Sequence, residues 1–213
     1  MRIDVVSDIA CPWCAIGVNA LERALEQLGD SADIEVHFQP FELNPDMPPE
    51  GVGLTDYLIS RVGMSPDQVE ASHVTLRERG NAVGFSFGER SMIWNTFDAH
   101  RLLYWADVEG PAGAQRRLKL ALLQAYHGEG RNPGAEDVLL ECVAKAGLDE
   151  ARAREVLEQE LFTQAVRDAE DNWMQKGVRA VPTMIINQTQ ALQGVQPVAM
   201  LENLLRTELA AQG

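Results

Sequence analysis

The feature that most constrains this 213-residue chain is a Cys-Pro-Trp-Cys run at positions 11–14, set just after a short apolar stretch that contains Ile3, Val5 and Val6. Residues 2–7 have the length and character of a short buried strand. From Cys11 to Leu28, apolar residues recur at helical spacing through Cys14, Val18, Leu21, Leu25 and Leu28, and Gly29 closes the run. Ile34, Val36 and Phe38 alternate with Glu35, His37 and Gln39 as a second, half-buried strand. The opening therefore reads as β-α-β, with Cys11 where a strand hands over to a helix. Pro12 suits the first helical turn, where its missing N–H is not needed.

That position has a chemical consequence. First-turn N–H groups are unpartnered and the helix macrodipole puts partial positive charge there, so a Cys11 thiolate is stabilised and becomes the nucleophile. Cys14, one turn on and more buried, can attack a mixed disulfide on Cys11 and release the substrate. Trp13 supplies no positive charge, so the helix terminus and backbone donors must stabilise the thiolate. The pair is expected to be less oxidising than one that encloses a His. Two other readings stand beside redox chemistry. One is an inert pair; the other is half of a zinc site, which would need two more ligands from Cys142 and four dispersed histidines.

Composition narrows the partners. With 18 Lys+Arg against 32 Asp+Glu the formal net charge is −14, and the basic residues form no block. Neither a nucleic-acid footprint nor a polybasic membrane patch is present, so no nucleic-acid or membrane partner is expected. The longest apolar stretches, Leu118 to Tyr126 and Val181 to Ile186, fall far short of the roughly 18 residues of a spanning helix. The first eight residues carry acidic side chains where a secretion signal would have an apolar core, so a cytoplasmic location is expected. There, a structural disulfide is disfavoured and a close Cys pair points to metal or redox chemistry. No metal and no organic cofactor is required. The oligomeric state, monomer or homodimer, stays open.

Farther along, residues 44–51 are rich in turn formers, and from about 54 to 176 the pattern is helical with no convincing strand. Ser65, Pro66 and Gln68 form a capping-box start for a helix running to about Val83, and Gly147 and Gly177 stand where helices should stop. Strand character returns with Thr183 to Ile186, a turn at Asn187–Gln188, and a short run from Thr189 to Leu192. Pro197 then starts an amphipathic helix through Val198, Leu201, Leu204, Leu205 and Leu209. The chain divides into a domain formed by 1–43 with 178–213 and a helical insertion, 44–177. Val181-Pro182 has two readings: a trans peptide opening an edge strand, or a cis peptide that sets the Val181 backbone beside the sulfurs to pair with an extended substrate.

A β-α-β opening with Cys-x-x-Cys at its helix start and a β-β-α close begun by Val-Pro-Thr resembles the thioredoxin fold. The helical insertion between the halves resembles the DsbA-like superfamily. More narrowly, residues 7–17, 38–45 and 95–102, and Val181-Pro182-Thr183 with Gly194-Val195-Gln196-Pro197, resemble its FrnE-like branch. The resemblance implies an α/β, thioredoxin-like fold split by an all-helical insertion. It also implies a thiol-disulfide oxidoreductase of the protein disulfide oxidoreductase or isomerase type, with Cys11 attacking, Cys14 resolving and Pro182 as a cis-proline. Candidate substrate contacts are Pro12, Trp13, Val181, Pro182 and His100. The partners would be protein or small-molecule thiols and disulfides, with glutathione a candidate co-substrate. A related branch, the 2-hydroxychromene-2-carboxylate isomerases and kappa-class glutathione transferases, shares the architecture but has Ser where this chain has Cys11. A glutathione-dependent isomerase or transferase acting on a small aromatic substrate is therefore the alternative.

Several residues carry both a functional and a packing reading. His100 and Asn95 either face the active site from the helical part or are satisfied core residues. Trp94, Phe97, Tyr104 and Trp105 are most simply packing residues, with a substrate groove as the alternative. Cys142 reads as a buried helical thiol and Asp149 to Glu160 as a solvated helix face.

Overall fold

The structure is a computed structural model that describes residues 1–29 and 34–211. From the N-terminus run β1 (Arg2–Ser7), α1 (Pro12–Leu28) and β2 (Glu35–Pro40). A long, mainly helical stretch follows: β3 (Val52–Gly53), α2 (Leu54–Ser60), α3 (Pro66–Ala82), β4 (Met92–Ile93), α4 (Phe97–Val108) and α5 (Ala114–Leu123). A π-helical turn, Gln124–Gly128, extends α5 and leads to α6 (Glu136–Lys145), α7 (Glu150–Glu158) and α8 (Thr163–Gln175). The chain closes with β5 (Thr183–Ile186), β6 (Gln190–Gln193) and α9 (Val198–Ala210).

The four-stranded sheet has the order β2-β1-β5-β6. β1 and β2 are parallel, with Val5 opposite Phe38, which demands a crossover that α1 provides. β5 runs antiparallel to β1, with Val5 opposite Met184, and β6 antiparallel to β5. Because side chains alternate across a strand, β1 sends Ile3 and Val5 to one face and Val6 to the other. Ile3 and Val5 join Met184, Ile186, Ile16 and Leu21 of α1, and Leu201 and Leu205 of α9, in the main core. On the other face Val6 meets Ile185, Val178 and Trp173 of α8. Burial on both sides is why β1 places the apolar Val5 and Val6 side by side rather than in alternation with polar residues.

The main core continues into the helices through Leu102, Leu118, Leu122, Tyr126, Leu139 and Val143. Ser65 Oγ accepts from the Gln68 N–H at 3.2 Å while Gln68 Oε1 accepts from the Ser65 N–H at 2.8 Å, which is the expected capping box of α3. α6 and α8 end just before Gly147 and Gly177.

One expectation is corrected. The stretch from 54 to 176 contains a strand after all, β4, which pairs antiparallel with β3 through Val52 opposite Ile93. Two-residue strands are too short to show alternation; tertiary contact forms them, with Ile93 packing on Met47 and Leu54. Among the described residues no helix is long and apolar enough to cross a membrane.

Candidate active site

Cys11 is the N-cap of α1, in extended conformation, with Pro12 in the first turn. Its carbonyl accepts from the Cys14 N–H at 3.1 Å, so the two cysteines bracket the first helical turn. Cys11 is 4% exposed and Cys14 is fully buried, whereas Trp13 projects outward at 41%. The Val181–Pro182 peptide is cis. The Cys11 sulfur lies 3.8 Å from the Val181 carbonyl oxygen. Among the described residues the Val181 N–H has no hydrogen-bond partner. The structure therefore brings Cys11, Pro12, Trp13, Cys14, Val181 and Pro182 together at one end of the sheet.

The two thiols are driven apart in acidity. A hydrogen bond from the Cys14 S–H lowers the Cys11 pKa; burial opposes it, the Cys14 and Trp13 N–H groups add to it, and the Asp8 charge works against it, with a net lowering. Cys14 is pushed well up, first by burial, then by its bond to Cys11 and by the charge of Cys11, while Lys119 pulls it down. The helix terminus contributes as the sequence suggests, but the largest single stabiliser of the Cys11 thiolate is its own partner thiol.

Beneath the pair lies a buried polar floor. Asp8 Oδ1 accepts from the Ala10 N–H at 3.1 Å, the Thr96 hydroxyl at 2.8 Å and His100 Nε2 at 3.3 Å, while Oδ2 accepts from the Leu43 N–H at 2.8 Å. Burial works against its charge, but the bonds from His100, Leu43 and Ala10 prevail and hold this carboxyl below its usual range. Because Asp8 is a carboxylate, His100 Nε2 carries the proton. His100, a candidate substrate contact in the sequence, is thus buried under the site as a donor to Asp8, and it does not line the cavity described below.

Two floor residues were not singled out from the sequence. His127, in the π-helical turn, donates from Nε2 to the Ile9 carbonyl at 2.8 Å and fastens the loop that leads into Cys11. Burial pushes its pKa well down. Lys119 of α5 is fully buried, and its Nζ has no hydrogen-bond partner among the described residues. It sits 5.7 Å from the centre of the Phe38 ring. Burial pulls it down to about 8, while the negative charges of Cys14, Asp8 and Cys11 raise it. Inside an otherwise apolar run, Leu118 to Leu123, a lone Lys looks like a solvated position, and nothing local betrays its burial.

A cavity of about 650 Å³ opens beside the Cys pair, walled by Trp13, Ile16, Val181, Pro182 and Val195 and bounded by Arg79 of α3. A larger one, about 770 Å³, lies on the opposite face of the sheet by Trp173 and Arg179 and includes no residue of the Cys motif. The aromatic candidates pack elsewhere: Trp94 against Tyr126, Tyr104 against Phe162, and Phe97 beneath the Arg167 guanidinium at 3.7 Å. Trp105 is buried, with its indole N–H donated to Glu109. Asn95 accepts from the Phe97 N–H at 2.8 Å and so caps the entry to α4. Cys142 is buried in α6. Among the described residues no cluster of three or more His, Cys, Asp or Glu side chains could hold a metal ion.

Residues 2–206 match the family described as DSBA-like thioredoxin domain. The Bacillus subtilis protein named "Uncharacterized protein YwbO" is 27% identical over 192 residues, 89% of this chain and 88% of that one. The probable DsbA oxidoreductase SCO1869 from Streptomyces coelicolor is 29% identical, with a TM-score of 0.89 over 100% of this chain and 91% of its own. The cytosolic disulfide reductase DsbM from Pseudomonas aeruginosa, solved with GSH, shares the fold at 19% identity, with a TM-score of 0.63 over 100% of this chain and 98% of its own. The chain belongs to the DsbA-like thioredoxin domain family.

Proposed function

We propose that the protein is a thiol-disulfide oxidoreductase of the FrnE-like branch, with Cys11 the attacking and Cys14 the resolving thiol. The observation that carries this reading is the placement of the pair. The Cys11 sulfur lies against the carbonyl of Val181, a residue that together with Trp13 of the motif lines the cavity, and Cys14 is buried one turn behind it. In the reductive direction the Cys11 thiolate attacks one sulfur of a substrate disulfide. The far sulfur leaves as a thiolate and takes up a proton, and a mixed disulfide joins Cys11 to the near half. Cys14 then gives up its proton and attacks the Cys11 sulfur. The Cys11–Cys14 bond forms, and the near half leaves as the second thiol, so that two electrons have passed to the substrate. A thiol reductant such as glutathione restores the dithiol by the same exchanges reversed; starting from the oxidised pair, the sequence runs backward and oxidises a substrate dithiol.

The remaining residues support these steps. The unpaired Val181 N–H and its carbonyl offer an extended substrate strand a pairing edge. Lys119 supplies a cation for the thiolate that Cys14 must become, and His100 and Thr96 hold Asp8 in place. Glutathione as co-substrate and a cytoplasmic setting belong to the same reading; a cavity of about 650 Å³ lined by Trp13 and Val181 has room for a molecule of that size. The test is redox-dependent alkylation. The pair should cycle with glutathione or dithiothreitol, Cys11→Ser should abolish disulfide exchange, and Cys14→Ser should accumulate the mixed disulfide. Exchange that survives Cys11→Ser defeats the proposal. Activity with glutathione and an aromatic electrophile that survives Cys14→Ser would indicate an isomerase or transferase instead.

A further inference from the structure

We infer that the cavity beside the Cys pair takes a small disulfide bearing a carboxylate, with Arg79 as the counter-ion; the inference rests on the oxidoreductase reading. In a chain with 32 acidic and 18 basic residues, the lining of this cavity contains no carboxylate and one formal charge, the Arg79 guanidinium. The rest of the wall is apolar or uncharged, and it includes Val181, whose carbonyl lies 3.8 Å from the Cys11 sulfur, with its neighbour Pro182 and with Trp13 of the motif. Arg79 is exposed on the last turn of α3 and has no acidic partner among the described residues. Nearby arginines do have one: Arg77 pairs with Glu70 at 3.6 Å and Arg23 with Glu26 at 3.7 Å. The helix positions that could reach Arg79, at 75, 76, 82 and 83, hold Thr, Leu, Ala and Val. The fold therefore leaves a permanently charged, fork-shaped donor free at the substrate cavity, and a carboxylate is the group that matches it.

The size of the cavity suits a small occupant. About 650 Å³ falls within the roughly 300–1,000 Å³ of small-molecule sites. A disulfide whose sulfur meets Cys11, whose body lies on Trp13 and whose carboxylate pairs with Arg79 fits this chemistry, and glutathione disulfide has it. The competing explanation is purely structural, because a cation in the last turn of a helix also favours the helix dipole. The experiment must therefore read substrate charge as well as stability.

Pre-reduced protein is mixed with three small disulfides of similar size, namely anionic dithiodipropionate, neutral hydroxyethyl disulfide and cationic cystamine. The second-order rate of Cys11–Cys14 oxidation is followed by alkylation trapping. Wild type should prefer the anion to the neutral disulfide by about 1.5-fold to fivefold, the range of an exposed charge pair. Arg79→Ala should erase that preference, Arg79→Lys should keep most of it, and Arg79→Glu should turn it toward cystamine, with thermal unfolding little changed in each. An anion-to-neutral ratio that is the same in wild type and Arg79→Ala overturns the inference while leaving the oxidoreductase reading intact. If none of the three oxidises wild type, the oxidoreductase reading falls and the inference falls with it.

Discussion

The Cys11 sulfur and the Val181 carbonyl oxygen, 170 residues apart in the chain, lie 3.8 Å from each other. What holds this approach is the way α1 seats on Pro182. A Cβ added at Gly17 would come within 2.9 Å of Pro182 Cγ, closer than side chains pack, so the proline ring or the backbone that carries it must shift. Gly17→Ala should therefore shift Pro182 and the Val181 backbone together. The expected result is slower disulfide exchange and a loss of about 1–3 kcal/mol in urea unfolding. An active, fully stable Gly17→Ala protein would show that the close packing does not position the site.

The Cys11 thiol is held below its ordinary value, first by the hydrogen bond from Cys14. Its alkylation rate against pH should inflect below about 8.5, the value of a free cysteine. Asp8 opposes that thiolate, so Asp8→Asn should move the inflection lower still. The same change should cost about 2–4 kcal/mol of stability, because it breaks a buried acceptor network. The Asp8 pKa is depressed by folding, so its contribution is present above the unfolded carboxyl value and is lost as pH falls through the folded one. An inflection in Asp8→Asn that stays put or rises would contradict this electrostatic account.

Lys119 should give effects of opposite sign. Burial holds it at about 8, against about 10.4 for a free lysine. Below pH 8 the folded protein carries a desolvated charge that the unfolded chain does not. That cost fades as pH rises from about 8 toward the unfolded value. Lys119→Met should therefore stabilise the protein at pH 7 by up to about 3 kcal/mol, with the gain shrinking above pH 8. The same variant should slow the attack of Cys14, so that the mixed disulfide with a glutathione-sized thiol persists longer by mass spectrometry. Unchanged resolution would remove Lys119 from the site's chemistry.

Burial pushes the Cys142 thiol up to about 11. At pH 8, native Cys11→Ser/Cys14→Ser protein should react with iodoacetamide hardly at all, and one equivalent should react after denaturation. Prompt native labelling would mean that α6 opens readily.

Much of the site was legible because it is local. Cys11, Pro12, Trp13 and Cys14 occupy one helical turn, and the apolar pattern on either side identifies the strand and helix that present them. The capping box at Ser65 and Gln68 is equally local and appears as expected. His100 was legible only as a candidate. Its spacing on α4 could not say whether it faced the cavity or Asp8, and the fold turned it to Asp8. β4 was missed because two residues carry no period, and Lys119 because one basic residue in an amphipathic helix looks solvated.

By itself, the sequence determined the β-α-β opening and β-β-α close around a helical stretch, the position of the dithiol at a helix start and the family pattern, since each depends on residues near one another along the chain. The tertiary structure alone decided which distant groups surround the two sulfurs. Val181 reaches Cys11 across 170 residues, and α5 places Lys119 in electrostatic reach of Cys14. The acidity of a thiol depends on burial and on charges a few ångströms away, and those neighbours are set by packing between elements rather than by sequence spacing.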